Sequence, residues 1–97
     1  MLRGKRVLVT GSSQGIGLAA ARAMAAAHAE VMLTSERPLD ECPDVRDLLA
    51  RTVGTDYVPA DLTRDGAADA LVAHTWATLG GVDVRVNNVG TFREPPF

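Results

Sequence analysis

The chain has 97 residues, of which 46% are hydrophobic and 23% are charged, and its formal net charge is −2. These proportions are typical of a folded globular protein and exclude a disordered chain, while the slight acidic excess argues against a nucleic-acid partner. One cysteine and two histidines provide neither an internal disulfide nor a metal-ligand spacing.

The first predicted strand is the apolar run of residues 5–10, and helical periodicity follows from residue 15 to about residue 28. The apolar stripe of this helix is formed by Ile16, Ala20, Met24 and Ala27. His28 stands where the helix ends, so we expect it to close the helix with a positive φ.

A glycine-rich segment, TGSSQGIG at residues 10–17, joins this strand to this helix. Such a turn leaves the first backbone N–H groups of the helix unpaired at the positive end of the helix dipole. It therefore predicts a site for a phosphate or pyrophosphate. Gly11 would let the chain leave the strand sharply, Gly15 would let a ligand approach the backbone, and Gly17 would let the helix lie close to the sheet.

A second strand is predicted at residues 30–35, where a short apolar run suits a sheet covered on both faces. A polar loop follows, and a short helix is predicted from Pro43 to Arg51, with proline in its first turn. We expect Cys42 to be an incidental residue at the surface or at the start of this helix.

A third strand is predicted at residues 56–59, at an edge of the sheet because Pro59 offers no ladder donor. The next helix is predicted over residues 64–79 with Thr63 as its N-cap. Its apolar stripe, in which Trp76 is assigned to the core, consists of Ala68, Leu71, Val72, Thr75, Trp76 and Leu79.

A fourth strand at residues 82–87 completes a regular alternation of strands and helices with short connections. This pattern predicts an α/β fold, a doubly wound parallel sheet with the strand order 3-2-1-4. Arg85 is out of place in the middle of a strand, because an unpaired buried guanidinium is costly, and on an edge strand it would reach solvent. The crevice of such a sheet lies between strands 1 and 4, and we expect strands beyond this chain to form its far wall.

Three motifs in this order resemble the N-terminal half of the short-chain dehydrogenase/reductase family. They are the segment at residues 10–17, the pair Asp61-Leu62 after strand 3, and NNVG at residues 87–90 after strand 4. The resemblance covers most of the chain and implies a partial Rossmann-type sheet that binds a dinucleotide cofactor, NAD or NADP.

In that family the glycine turn holds the pyrophosphate, the acidic residue after strand 3 meets the adenine, and the last motif lines the ribose and the approach to the nicotinamide. Carried over by resemblance, the cofactor-binding residues are Gly11, Ser13, Gln14, Gly15, Ile16, Gly17, Glu36, Arg37, Asp61, Leu62, Asn88, Val89 and Gly90. Val89 replaces the usual alanine and would narrow the pocket slightly. For Asp61 the alternative is a carboxylate that satisfies the next helix, and for Asn87 we favour a structural role in bonding loop backbone.

The residues after strand 2 decide between NAD and NADP, because the ribose 2′ position is recognised there. Glu36 would accept a hydrogen bond from a free 2′-hydroxyl, and Gln14 replaces a basic residue that NADP-preferring relatives often have; both favour NAD. Arg37 would pair with a 2′-phosphate and favours NADP.

The catalytic serine and the Tyr-x-x-x-Lys pair of the family are missing, since Tyr57 is the only tyrosine and Lys5 the only lysine. We therefore expect residues 1–97 to form a single partial dinucleotide-binding domain, without the catalytic half and inactive alone. In complete form the protein would transfer a hydride between NAD(P) and a carbonyl or alcohol. The alternatives are a truncated, non-catalytic nucleotide-binding module acting through a partner and, third, a structural interaction protein.

The partners expected are the dinucleotide and, in the complete protein, a small-molecule substrate and further copies of itself. No apolar stretch is long enough for a signal-peptide core or a membrane span, so we expect a soluble, cytoplasmic protein.

Overall fold

The computed structural model describes residues 2–87. Its strands are β1 (Arg6–Val9), β2 (Glu30–Ser35), β3 (Thr55–Pro59) and β4 (Val84–Val86). Its helices are α1 (Gly15–Ala26), α2 (Pro43–Arg51) and α3 (Ala67–Leu79), with a short 3₁₀ turn at Leu39–Glu41 before α2. The bounds of β2 and α2 agree with the sequence-based prediction, and the other predicted elements are present with shifted ends.

The four strands form one parallel sheet in the order β3-β2-β1-β4, which confirms the predicted order. In register, Val7 of β1 lies between Val31 of β2 and Val84 of β4. Among the strands of residues 2–87, β3 pairs only with β2, so Pro59 lies at an edge of this sheet as predicted. Parallel pairing places the carboxyl ends of all the strands at the same end of the sheet.

Helices cover both faces of the sheet, and alternate side chains of each strand enter two separate cores. One core combines Val7, Val9, Val31 and Leu33 with residues of α1 and α2. The other combines Leu8 and Met32 with Leu71 of α3. Both faces of the central strands are thus buried, which explains why β1 and β2 read as continuous apolar runs. Within the described residues, no helix is long and apolar enough to cross a membrane.

The predicted inner face of α1 is correct at Met24, which packs against the core, and is wrong by one position at the start of the helix. Gly17, Leu18 and Ala21 are the buried residues of this helix, whereas Ile16 has 80% of its surface exposed. The helix also ends two residues before His28, which nevertheless has a φ of 72° as expected. Because successive helical residues are about 100° apart, a shift of one position turns Ile16 outward.

The predicted start of α3 at residue 64 and the N-cap role of Thr63 are wrong. Gly66, in the left-handed conformation, precedes the first helical residue, Ala67. Thr63 instead donates two hydrogen bonds to the carboxylate of Asp61 within a turn. A side chain that bonds its own turn competes with helix formation, so the helix begins later.

Trp76 is not a core residue, as 55% of its surface is exposed. The inner side of α3 is formed by Leu71 and Thr75, one turn apart, and the Thr75 hydroxyl donates to the Leu71 carbonyl at 2.8 Å. Cys42 lies at the start of α2 as expected, but it is buried rather than at the surface. Arg85 is exposed on the edge strand β4.

At the amino ends of the strands, Arg6 of β1 and Asp83 before β4 form an ion pair. The Asp83 carboxylate accepts hydrogen bonds from the Arg6 backbone N–H at 2.9 Å and from its Nε at 3.0 Å. Arg6 also donates to the Gly80 carbonyl at 2.9 Å, which ties β1 to the end of α3. The hydrogen bonds from Arg6 hold the pKa of Asp83 below its ordinary value.

This lowered pKa predicts an acid-dependent loss of stability. The contribution of Asp83 is present above the ordinary carboxyl pKa of about 4 and is lost as the pH falls through the lower folded value. We therefore expect Asp83→Asn to lower the melting temperature near neutral pH, with a smaller difference from the parent chain in acid. Thermal unfolding followed by circular dichroism across this pH range measures both.

Asp47→Asn is the matched control, because Asp47 pairs with Arg51 on the exposed side of α2. Such exposed pairs contribute little, so its melting curve should stay close to that of the parent. Equal effects of the two substitutions would contradict the role assigned to Asp83.

Candidate functional site

A cleft of about 110 Å³ opens at the carboxyl ends of β1, β2 and β3. It is lined by Gly11, Thr34, Ser35, Glu36, Ala60, Asp61 and Leu62, and we call it the edge cleft. Four of these residues, Gly11, Glu36, Asp61 and Leu62, are among the predicted site residues. They come from three separate connections, and parallel pairing brings them together.

The glycine turn is attached to β2 through Ser12, which is fully buried. The Ser12 backbone N–H donates to the Thr34 carbonyl at 3.0 Å, and the Ser12 hydroxyl accepts from the Thr34 N–H at 2.9 Å. The same hydroxyl lies 2.9 Å from the Val9 carbonyl, to which it donates. Gly11 has a φ of 59°, a conformation that glycine adopts without steric cost. These bonds fix the direction in which the chain enters α1.

The start of α1 has no capping side chain. Gln14 occupies the N-cap position in an extended conformation without a side-chain hydrogen bond to the helix, and no acidic residue lies in the first turn. Gly15 has a φ of 61°, and a Cβ atom built on it would meet nothing within 4 Å among the described residues. The exposed Ile16 adds apolar surface there. The positive end of the helix dipole therefore faces open space.

The edge cleft contains a carboxylate suited to a polar ligand, that of Asp61. Thr34 also lines the cleft, but its hydroxyl is buried and, like that of Thr55 at the start of β3, has no hydrogen-bond partner among the described residues. Asp61 accepts hydrogen bonds from the hydroxyl and the backbone N–H of Thr63, and these hold its pKa below its ordinary value. Its carboxylate is therefore ionised near neutral pH and presents acceptors only. The alternative role of Asp61, a carboxylate that satisfies the next helix, is wrong, because Asp61 bonds Thr63 in a turn that precedes α3.

Glu36 and Arg37 follow β2 and are both exposed. Glu36 lines the edge cleft and Arg37 does not. Two hydrogen bonds fix the backbone at Arg37. Its N–H donates to Ser35 Oγ at 3.2 Å, and its carbonyl accepts from the Tyr57 hydroxyl. The loop thus leaves β2 in a defined direction.

The remaining predicted site residues lie outside the lining of the edge cleft. Ser13, Gln14, Gly15 and Ile16 lie on the turn at the start of α1, and Gly17 is buried inside the helix. Asn88, Val89 and Gly90 lie outside the described residues. Asn87 accepts a hydrogen bond at 3.0 Å from the Thr10 hydroxyl, an internal contact consistent with the structural role expected for it.

Ser12, Thr34 and Tyr57 are residues of the site region that the sequence did not single out. Nothing in the sequence distinguishes Ser12, which is buried, from its neighbour Ser13, which is partly exposed. For β2, the polar pair Thr34-Ser35 at the end of an apolar strand could have indicated that these residues belong to the site region. No group of His, Cys, Asp and Glu side chains within residues 2–87 is arranged to hold a metal ion.

Comparison with known proteins is consistent with this geometry. The family model for short chain dehydrogenase matches residues 5–97. A fatty acyl-CoA reductase of Mycobacterium tuberculosis is 38% identical over 96 residues, which are 97% of this chain and 32% of that protein. The chain thus spans about a third of the length of the curated relatives it matches.

Solved structures agree in fold. A short chain dehydrogenase from Mycobacterium smegmatis has a TM-score of 0.84 at 32% identity, with 98% of this chain and 40% of that chain covered. A metagenomic short-chain oxidoreductase in complex with NADP has a TM-score of 0.81 at 33% identity, with 93% and 41% covered. Since the family model spans nearly the whole sequence, this chain belongs to the short chain dehydrogenase family.

Proposed function

We propose that this chain is the NAD(P)-binding portion of an oxidoreductase that, in complete form, transfers a hydride between the nicotinamide cofactor and a carbonyl or alcohol. The observation that carries the proposal is the uncapped start of α1 beside a cleft lined by the ionised carboxylate of Asp61. The NADP bound to the metagenomic relative supports the cofactor class.

The start of α1 is the proposed pyrophosphate site. Its first backbone N–H groups have no side-chain cap, and a bound diphosphate would accept hydrogen bonds from them at the positive end of the helix dipole. The open space over Gly15 lets phosphate oxygens reach the backbone. Ser13 and Gln14 border this space on the same turn, and Ile16 offers an apolar contact.

The edge cleft is the proposed adenosine site. The carboxylate of Asp61 would accept a hydrogen bond from the adenine amino group, and Leu62 would supply apolar contact to the base.

Glu36 and Arg37 are the proposed readers of the ribose 2′ position. Glu36 lines the cleft, so its carboxylate is placed to accept from a 2′-hydroxyl and to repel a 2′-phosphate. Arg37 is outside the lining and would have to turn inward to pair with a phosphate. We therefore propose NAD as the preferred cofactor.

The nicotinamide ring supplies the hydride chemistry when the cofactor is bound. The residues of this chain bind and orient that cofactor and do not supply the proton. Tyr57 is buried beneath the loop after β2, and Lys5 precedes β1 at the opposite end of the sheet, so the two cannot act as a catalytic pair. We propose that residues 1–97 form one partial dinucleotide-binding domain and that turnover requires segments the relatives have in addition.

Gly15→Ala tests the pyrophosphate site. The new methyl group would project into the open space above the turn, so we expect NADH affinity, measured by fluorescence titration or calorimetry, to fall by about tenfold or more. Gly66→Ala is the matched control. Gly66 has a φ of 79° and equally open surroundings, so it incurs similar backbone strain, but it lies before α3 and away from the edge cleft. Unchanged NADH binding in Gly15→Ala would show that the pyrophosphate lies elsewhere.

Glu36→Gln tests the 2′ assignment. Removing a charge near a 2′-phosphate should raise the affinity for NADPH relative to NADH by about fivefold, the factor for about 1 kcal/mol of repulsion between charges near 4 Å in water. Titrations with both cofactors give the ratio. Glu41→Gln is the control, because Glu41 is exposed in the following 3₁₀ turn and does not line the cleft. A ratio that stays the same in Glu36→Gln would argue against Glu36 as the reader.

A further inference from the structure

The only tyrosine of the chain lies directly beneath the loop after β2. Tyr57 of β3 pairs in register with Leu33 of β2, and Ser35 is the next residue of β2 on the same face. The Tyr57 hydroxyl therefore reaches the last residue of β2, where it lies 2.7 Å from Ser35 Oγ. Its ring packs in the core formed with α1 and α2.

The hydroxyl also bonds the backbone beyond the strand. It donates to the Arg37 carbonyl at 2.5 Å, while the Arg37 N–H donates to Ser35 Oγ at 3.2 Å. Both peptide groups of Arg37 are thus attached to the Tyr57–Ser35 pair. Glu36 lies between Ser35, the last residue of β2, and Arg37, so these bonds set the direction of its backbone over the edge cleft.

Two further observations concern the Tyr57 hydroxyl as a hydrogen-bond donor. Burial raises the pKa of Tyr57 to about 12, so the hydroxyl keeps its proton at any physiological pH. The buried thiol of Cys42, at the start of α2, lies 3.9 Å from the Tyr57 oxygen. The hydrogen of the hydroxyl is then available for the Arg37 carbonyl.

We propose that Tyr57 is a positioning residue for cofactor specificity: through Ser35 and the Arg37 carbonyl, its hydroxyl fixes the orientation in which Glu36 and Arg37 face the ribose 2′ position. The inference rests on the proposed function, because it concerns the selectivity of the same site. Without the hydroxyl, Glu36 and Arg37 sample several orientations, and discrimination between a 2′-hydroxyl and a 2′-phosphate declines while the rest of the site is unchanged.

The test uses two ligands that differ only at the 2′ position, 5′-AMP and adenosine 2′,5′-bisphosphate. Calorimetric titration of the intact 97-residue chain gives the ratio of their dissociation constants. For the parent chain we expect tighter binding of 5′-AMP, as Glu36 favours a free hydroxyl. In Tyr57→Phe, which keeps the ring and removes the hydroxyl, the ratio should move toward one by about threefold to tenfold, the equivalent of one lost hydrogen bond.

Ser35→Ala removes the other half of the support and should move the ratio in the same direction. It also keeps the test available if Tyr57→Phe folds poorly. Thr75→Val is the matched control, since it removes a buried, hydrogen-bonded hydroxyl from α3, far from the loop. Its melting temperature should fall as in Tyr57→Phe, and its ratio should equal that of the parent.

The outcomes separate the two levels of the proposal. If the parent chain binds neither ligand, the proposed function itself is wrong. If the parent binds both ligands with a ratio near one, or Tyr57→Phe keeps the parent ratio, cofactor binding stands and the role of Tyr57 is rejected. A shift of equal size in Thr75→Val would also reject it, because general loosening would then explain the effect. A shift confined to Tyr57→Phe and Ser35→Ala supports the proposal.

Discussion

Parallel strand pairing is the constraint on which the rest of this structure depends. It brings the carboxyl ends of β1, β2 and β3 to one end of the sheet, so that three connections distant in sequence meet around the edge cleft. The bonds between Ser12 and Thr34 then attach the glycine turn to β2 and set the direction of α1. The first turn of that helix lies beside the cleft because both the backbone and the hydroxyl of Ser12 bond β2.

The two ends of the sheet differ in their side-chain contacts. At the amino ends, Arg6 bonds the Asp83 carboxylate and the Gly80 carbonyl and so ties β1 to the segment before β4. At the carboxyl ends, the start of α1 has no side-chain cap, and Glu36 and Asp61 line the edge cleft. A buried hydroxyl without a partner among the described residues lies near each end, that of Thr55 at the start of β3 and that of Thr34 near the end of β2. The ion pair of Arg6 and Asp83 thus lies at the end of the sheet opposite the candidate site.

The sequence predicts the topology well because apolar runs, glycines and prolines report backbone requirements directly. The strand order, the helix from Pro43 to Arg51 and the positive φ of His28 all follow from such local signals. The errors arise where a local side-chain hydrogen bond or the packing of a helix decides the structure. The bonds between Thr63 and Asp61 delay α3, and Trp76 lies one residue beyond the buried side of its helix. For the candidate site, the sequence predicts the glycine turn and the acidic residues, whereas the Tyr57 contact depends on strand register, which no local pattern reveals.

The ion pair of Arg6 and Asp83 also affects how the chain folds during its synthesis. Its partners are 77 positions apart, whereas β1 and its other neighbour, β2, are joined by a single helix. On the ribosome, β1 and β2 can associate early, but one flank of β1 stays unpaired until residue 83 has emerged from the exit tunnel. Closing a loop of this length has a larger entropic cost than closing the connection between β1 and β2. The nascent protein therefore passes through a stage in which one side of its central strand is unpaired and accessible to chaperones and proteases.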